Sequence, residues 1–306
     1  MNTELEQIVA EVGKVVKGKN PVIRKVLAAV LAGGHVLLED IPGVGKTTLA
    51  MALGKSMELE YKRMQFTPDV LPSDIVGFTM YNSGTREFEY KKGAIFCNLF
   101  LADELNRTSS KTQSALLEVM EESKVTVDGV SYPLPSPFTV IATENPFGSS
   151  GTQRLPESQL DRFLICLNMG YPSHEAAVEI LKSSSWGGLE QVRKVMSVER
   201  LMELRKQAET LHVEDNIYEY LVRLTEATRQ DPRIALGVSP RGGIALMKMA
   251  RAMALLRGGE YVIPEDVLGV IGDVWRHRIH LNAKARAEGM DVSGIILEIT
   301  ERIHAV

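Results

Sequence analysis

The stretch EDIPGVGKTT, Glu39 to Thr48, decides the fold of this 306-residue chain. It follows an apolar run, His35 to Leu38, that reads as a buried strand, and it runs into a helical pattern from Thr48 to Gly54. A loop that holds phosphate at a helix N-terminus needs small residues, so that backbone N–H groups can wrap the β-phosphate. It also needs a lysine to reach the β/γ oxygens and a hydroxyl for Mg2+. Gly43, Gly45, Lys46 and Thr47 supply these, and the whole loop, Pro42, Gly43, Val44, Gly45, Lys46, Thr47 and Thr48, is the expected nucleotide contact. The strict spacing G-x-x-x-x-G-K-[ST] would place its first glycine on Asp40; Pro42 and Gly43 form the turn instead.

Outward from the loop, four more apolar runs alternate with helix-like stretches: Tyr61 to Phe66, Ala94 to Ala102, Phe138 to Ala142 and Phe163 to Met169. Five buried strands separated by helices predict an α/β unit with a parallel five-stranded sheet and helices on both faces. From Val198 onward only helical periodicity is found, in Leu201–Leu211, Asn216–Arg229, Pro240–Leu256, Pro264–Ile279 and Val292–Ile303. The reading is an α/β nucleotide-binding domain over 1–172, a linker over 173–197 containing SSSWGG and a short helical stretch, Glu175–Leu181, and an all-helical domain over 198–306. The chain length allows each domain its own core. Two hairpins interrupt the first domain. Asp128-Gly129 in KVTVDGVSYPL has the residues of a type I′ turn, and Asn82, Ser83 and Gly84 separate two aromatic-rich strands.

Composition narrows the class. The 35 Lys and Arg against 39 Asp and Glu leave a net charge of −4, so no whole-protein field attracts phosphate backbones or anionic lipid. Cys97 and Cys166 sit in apolar runs, as reduced thiols do. Val26 to Leu38 is too short to span a bilayer, and the acidic start MNTELEQ is unlike a signal peptide, so a cytoplasmic address is expected. His277 and His280, three apart, read as members of a solvated helix face rather than as metal ligands.

A phosphate loop requires an acidic residue at the end of another strand to hold magnesium, with Thr47, and CNLFLADE places Asp103 there. The next residue, Glu104, stands where a carboxylate polarises the water that attacks a γ-phosphate. FTVIAT ends at Glu144, Asn145 and Pro146, and an amide at that strand tip can hold the same water. LPESQLDRFL carries Arg162 and GVSPRGG carries Arg241, whose roles depend on context.

The ordered set LLEDIPGVGKT, LADELNRTSSKTQSALLEVMEE, VIATENP, LPESQLDRF and SPRGGIALMKMARAMALLRGGEYVIPEDV resembles the MoxR family of AAA+ ATPases, from about Val15 to Ile303. The resemblance implies an AAA+ core with a helical lid, assembled as a ring, usually a hexamer, with ATP and Mg2+ bound between neighbours. It makes Lys46 and Thr47 Walker A, Asp103 and Glu104 Walker B, Asn145 sensor 1, Arg162 the arginine finger and Arg241 sensor 2. Gly18 falls where the family has a Gly-Gln pair near adenine, but Lys19 replaces the glutamine. The two hairpins resemble the helix-2 insert and the pre-sensor hairpin, which face the ring axis. Gln153 and Arg154 replace the family's Tyr and Pro near the subunit interface. The ATPase unit fills the chain, so the von Willebrand factor A-type partner common in this family is expected as a separate polypeptide.

Three functions compete. The first is a chaperone-like remodeller that matures client protein complexes, for example by cofactor or metal insertion. A second is a ring motor on nucleic acid, which needs basic aromatic pore hairpins. Here Arg86, Lys91 and Lys92 are offset by Glu87 and Glu89, and Asp128 tips the other hairpin, so nucleic acid is disfavoured. The third, a nucleotide-dependent assembly switch with little turnover, is opposed by Glu104 and Asn145.

Overall fold

The structure, a computed structural model, describes residues 2–145, 155–182 and 188–305. Pro146, Gln153, Arg154 and residues 183–187 of the expected linker lie outside the described residues. In chain order the strands are β1 (Val36–Glu39), β2 (Tyr61–Gln65), β3 (Gly77–Asn82), β4 (Glu87–Lys92), β5 (Leu99–Asp103), β6 (Lys124–Val127), β7 (Val130–Pro133), β8 (Thr139–Glu144), β9 (Ile165–Leu167), β10 (Ile234–Leu236) and β11 (His280–Leu281). The helices through the first unit are α1 (Thr3–Gly13), α2 (Asn20–Leu31), α3 (Lys46–Ser56), α4 (Pro72–Val76), α5 (Ser110–Glu122), α6 (Glu157–Leu160) and α7 (His174–Lys182). The remaining helices are α8 (Val198–Thr210), α9 (Asp215–Gln230), α10 (Pro240–Arg257), α11 (Pro264–Trp275), α12 (Ala283–Ala287) and α13 (Val292–Arg302).

The expected five strands form one parallel sheet in the order β2-β5-β8-β1-β9. Alternation along each strand sends Val36, Leu38, Leu99, Leu101, Ile141, Ile165 and Leu167 to one face, and Leu37, Phe100, Ala102, Val140, Ala142 and Cys166 to the other. Two differences from the sequence reading have local causes. The run Ala94–Ala102 enters the sheet only at Leu99, because Ala94 and Ile95 donate instead to Asp74 O and Ile75 O of α4. β2 is an edge strand rather than a buried one, and Lys62, Arg63 and Gln65 keep contact with solvent.

The core is divided by the faces of the sheet, not by the expected domain boundary. One apolar cluster lies between the sheet and α5 and includes Phe66, Phe96, Leu116, Phe138 and Phe163. The other runs without interruption from α1, α2 and α3 into α8 to α11 and α13, joining Leu27, Leu49 and Leu53 to Leu204, Leu246 and Trp275. The chain length would allow each domain its own core, but the lid shares its interior with the N-terminal helices. Asn2 N–H donates to Leu256 O at the end of α10, at 3.2 Å.

The helical lid contains one short antiparallel ribbon, β10 with β11. The helix expected over Pro264–Ile279 stops at Trp275 because the next residues turn toward the sheet. There the guanidinium of Arg278 donates to the carbonyls of Phe163 (2.7 Å) and Leu164 (3.2 Å) and to Asp161 Oδ1 (2.7 Å). His277 is buried beside them with Nε2 3.2 Å from Phe163 O, so the solvated-face reading fails for it. Burial and the adjacent Arg278 hold its pKa well below the usual histidine value. His280 lies in β11, against Glu157 Oε1 at 3.0 Å.

Both hairpins form. β6 and β7 are joined by Asp128 (φ 51°) and Gly129 (φ 78°), the two left-handed residues that a type I′ turn requires. β3 and β4 pair from Gly77 with Lys92 to Asn82 with Glu87. The hairpins are tied together where Tyr90 stacks on Tyr132, ring centroids 4.2 Å apart.

Candidate active site

The loop after β1 turns through Gly43 (φ 83°) and Gly45 (φ 97°), a left-handed conformation that glycine adopts without a Cβ penalty. α3 then begins at Lys46, earlier than the sequence pattern placed it, with Gly45 as a cap that offers no side-chain acceptor. The first-turn N–H groups are left to an outside anion, and the helix dipole adds to their attraction. A cavity of about 360 Å³ opens there, lined by Pro42, Gly43, Gly45, Lys46, Thr47 and Thr48 from the loop, Arg63 and Gln65 from β2, Asp103 and Glu104 after β5, and Asn145 after β8. The central strands thus deliver the expected residues to one end of the sheet, where ligands of open parallel sheets bind.

Each charged group in the cavity is held by a partner. Lys46 Nζ donates to Asp40 O at 2.7 Å; burial lowers its pKa while Asp40, Asp103 and Glu104 oppose that shift. Asp103 Oδ1 accepts from Thr143 Oγ1 at 2.7 Å, and Oδ2 accepts from Arg63 Nη2 at 2.7 Å and Nε at 3.2 Å. Glu104 has left-handed backbone angles (φ 56°, ψ 50°), which cost a non-glycine residue about 1 kcal/mol or more. Its N–H donates to the same Thr143 Oγ1 at 2.8 Å, and its carboxylate accepts from Arg107 Nη1 at 2.7 Å. Thr143, fully buried on β8, therefore fixes the Asp103 carboxylate and the backbone of Glu104 at once. Asn106 Nδ2 donates to Asn145 O at 3.1 Å and joins the Glu104 turn to the end of β8.

The donor set suits magnesium. Mg2+ takes one or two protein oxygens and fills its remaining positions with water and phosphate oxygens. Asp103 and Thr47 present a carboxylate and a hydroxyl to the same cavity as the phosphate loop. Asp103 Oδ2 already carries a cationic group, which shows that the site accepts positive charge.

Four expected residues lie elsewhere. Val44 is buried in the core, which leaves only its backbone to the loop. Gly18 (φ 71°) packs on α7, where an added Cβ would meet Ala176 Cβ at 2.9 Å. The adjacent Lys19, in place of the family's glutamine, donates to Met169 O (2.5 Å) and Tyr171 O (2.7 Å) and ties this segment to the end of β9. Arg162 and Arg241 are outside the cavity, and both pair with Glu121 at the end of α5.

Sequence reasoning missed Arg63, Arg107, Thr143, Arg276 and Arg278. Arg276 reaches from the end of α11 to Cys166 O (3.0 Å), Asn168 Oδ1 (2.6 Å) and Glu39 Oε2 (3.1 Å), so the lid is fastened beside the phosphate loop. The signal available for it is the basic cluster WRHRIH, Trp275 to His280.

Fold and site together define an AAA+ P-loop domain with a helical lid. Residues 35–165 match the family model described as "ATPase family associated with various cellular activities (AAA)", and residues 226–299 match the AAA lid domain. A relative from Bacillus subtilis, Uncharacterized protein YeaC, is 48% identical over 98% of this chain and 94% of its own length. Chaperone MoxR1 of Mycobacterium tuberculosis is 39% identical over 98% of this chain and 81% of its own. A crystal structure from Cytophaga hutchinsonii, described provisionally as an ATPase, superposes with a TM-score of 0.91 at 39% identity and covers 99% of this chain and 95% of that one. The chain belongs to the MoxR family of AAA+ ATPases.

Proposed function

We propose that the protein hydrolyses ATP with Mg2+ in a ring of like subunits and uses the cycle to remodel client protein complexes. The observation that carries this reading is the convergence of Lys46, Thr47, Asp103, Glu104 and Asn145 on one cavity at the N-terminus of α3. Lys46 and the loop N–H groups bind the β- and γ-phosphates, and Thr47 and Asp103 would hold the magnesium, which neutralises phosphate charge. Asn145 and Glu104 position a water against the γ-phosphorus. As its oxygen bonds to phosphorus and the bond to the β-phosphate oxygen breaks, Glu104 takes the proton. Arg162, which lies outside the cavity of its own subunit, acts at the neighbour's site, and Arg241, beside it on Glu121, serves as sensor 2 in the same cycle.

The hairpin β3–β4 supports a protein client. It exposes Phe78, Met80, Tyr81 and Phe88, and Phe88 is 76% accessible. Glu87 and Glu89 offset Arg86, Lys91 and Lys92, and Asp128 tips the other hairpin, which disfavours a nucleic-acid track. The metal or cofactor insertion reading and a separate von Willebrand factor A-type partner belong to the same proposal. The cytoplasmic address does too; no helix among the described residues is long and apolar enough to cross a membrane. The domain boundaries at 172 and 197 are proposed with it, on the fold change between β9 and α8.

The test is phosphate release from Mg·ATP, with Glu104→Gln as the control, alongside light scattering with and without ATP. Release abolished by Glu104→Gln, with a larger particle in ATP, supports the reading. ATP binding without release would leave the assembly switch in its place.

A further inference from the structure

We propose that Arg63 is a built-in counter-cation for Asp103, which the magnesium ion displaces when nucleotide loads, so that Arg63 sets how steeply nucleotide binding depends on Mg2+. The proposal rests on the nucleotide site described above. Asp103 is only 8% accessible, and a buried carboxylate without a counter-charge is costly. One of its oxygens is committed to Thr143 Oγ1; the other receives two donors from Arg63, Nη2 at 2.7 Å and Nε at 3.2 Å. Lys46, the other cation lining the cavity, is turned away onto Asp40 O at 2.7 Å. Among the described residues Arg63 alone forms an ion pair with Asp103.

The guanidinium stands on the carboxylate oxygen that Thr143 does not hold, so a divalent cation bound at Asp103 would compete with it. A divalent cation and a guanidinium crowding one carboxylate repel each other. The fold gives Arg63 somewhere to go. It lies on the edge strand β2 with its side chain 45% accessible, and Nη2 already shares a bond with Gln65 Oε1 at 3.0 Å, two residues along the same strand. In this arrangement the carboxylate is neutralised in both states: by Arg63 before loading and by Mg2+ afterwards. Without Arg63 the empty site would hold an uncompensated negative charge facing the incoming phosphates, and it would bind Mg2+ without competition.

The test is a fluorescence titration of the full chain with an N-methylanthraniloyl ATP analogue, in EDTA and at stepped Mg2+ concentrations, for wild type, Arg63→Gln and Arg63→Lys. A lost charge-assisted pair predicts that Arg63→Gln lowers the Mg2+ midpoint about tenfold and weakens binding in EDTA, with affinity at saturating Mg2+ near wild type. Arg63→Lys, which keeps the charge but not the two-donor contact, is expected to fall between Arg63→Gln and wild type. An unshifted midpoint in Arg63→Gln overturns the proposal, as does equal weakening with and without Mg2+, which would make Arg63 a phosphate ligand. If wild type binds no nucleotide at any Mg2+ concentration, the site itself is lost and the proposal with it. A circular dichroism melt of each variant checks that this edge-strand position leaves the fold intact.

Discussion

Arg162 and Arg241 converge on a single carboxylate, that of Glu121: Arg162 Nη2 lies 3.3 Å from Oε2, while Arg241 Nη2 donates to Oε1. One comes from the segment before β9 and the other from the first turn of α10, so a core residue and a lid residue present their charges as a pair. Glu121 offsets their mutual repulsion and fixes their spacing. Glu121→Gln is expected to leave ATP affinity within about twofold and to lower turnover about tenfold, because only the pair's geometry is disturbed. Steady-state kinetics checks this; a change in KM alone would count against it.

Lys46→Ala and Glu104→Gln separate binding from chemistry. Lys46→Ala removes the point charge on the β/γ oxygens and is expected to abolish measurable nucleotide binding. Glu104→Gln keeps affinity and loses roughly 10²- to 10⁴-fold in turnover, since only proton acceptance is removed. Equilibrium binding and phosphate release on the same preparations distinguish the two. A wild-type rate in Glu104→Gln would require another base.

The proposed action of Arg162 across a subunit boundary has its own signature. Arg162→Ala is expected to bind ATP and to lose roughly 10³- to 10⁵-fold in rate, the contribution of an arginine finger. Mixed with Lys46→Ala, which keeps an intact Arg162, it is expected to regain activity at interfaces that pair a sound pocket with a sound finger. No recovery after verified subunit exchange would place Arg162 in its own subunit's chemistry or require several intact neighbours at once.

Stability is expected to fall in mild acid through His35. Its Nδ1 accepts from Val140 N–H at 2.9 Å, so the proton sits on Nε2, which donates to Met120 O at 2.9 Å. Burial lowers its pKa from 6.5 to about 4. Between those values the unfolded chain binds a proton that the folded chain does not, so folding weakens as pH falls through this window. The full shift corresponds to roughly 3 kcal/mol. Urea unfolding at pH 7 and pH 4.5 measures it, and His35→Gln is expected to flatten the dependence; His277, shifted in the same direction, leaves a remainder.

Arg278 is the fastening whose loss is expected to cost most. Its side chain is 3% accessible and bonds Asp161 and the carbonyls beside β9. Arg278→Met leaves those acceptors unpaired and is expected to destabilise by roughly 3 to 5 kcal/mol, read as a lowered melting temperature. Arg278→Lys recovers little, since one ammonium cannot replace the guanidinium fork.

What was legible in the sequence was what is local. The phosphate loop, Asp103 with Glu104, and Asn145 each stand at the end of an apolar run, so strand pattern and chemistry point to the same residues. Arg278 and Asp161 are separated by 117 positions, and nothing in either neighbourhood announces the other. Arg63 was hidden for a different reason. In the segment YKRMQ it reads as an ordinary solvated residue of a strand, and only the β2–β5 register, with Gln65 opposite Asp103, brings it to the carboxylate. The shared core of lid and N-terminal helices was equally out of reach, because periodicity reports that a face is buried and not what covers it.

Helix α5 starts at Ser110, shortly after Glu104 and Arg107, and ends at Glu122, next to the arginine-binding Glu121 and directly before β6. At 1.5 Å per residue it is a stiff rod about 20 Å long. One end follows the Glu104 turn at the cavity; the other carries Glu121, which pairs with Arg162 and Arg241, and the root of a hairpin that is stacked, through Tyr132 on Tyr90, against its companion. A tilt of about 5° at the nucleotide end becomes a stroke of about 2 Å at the far end. On the proposed function, bond cleavage, the placement of Arg162 and Arg241 and the movement of the paired hairpins would then be three readings of one lever.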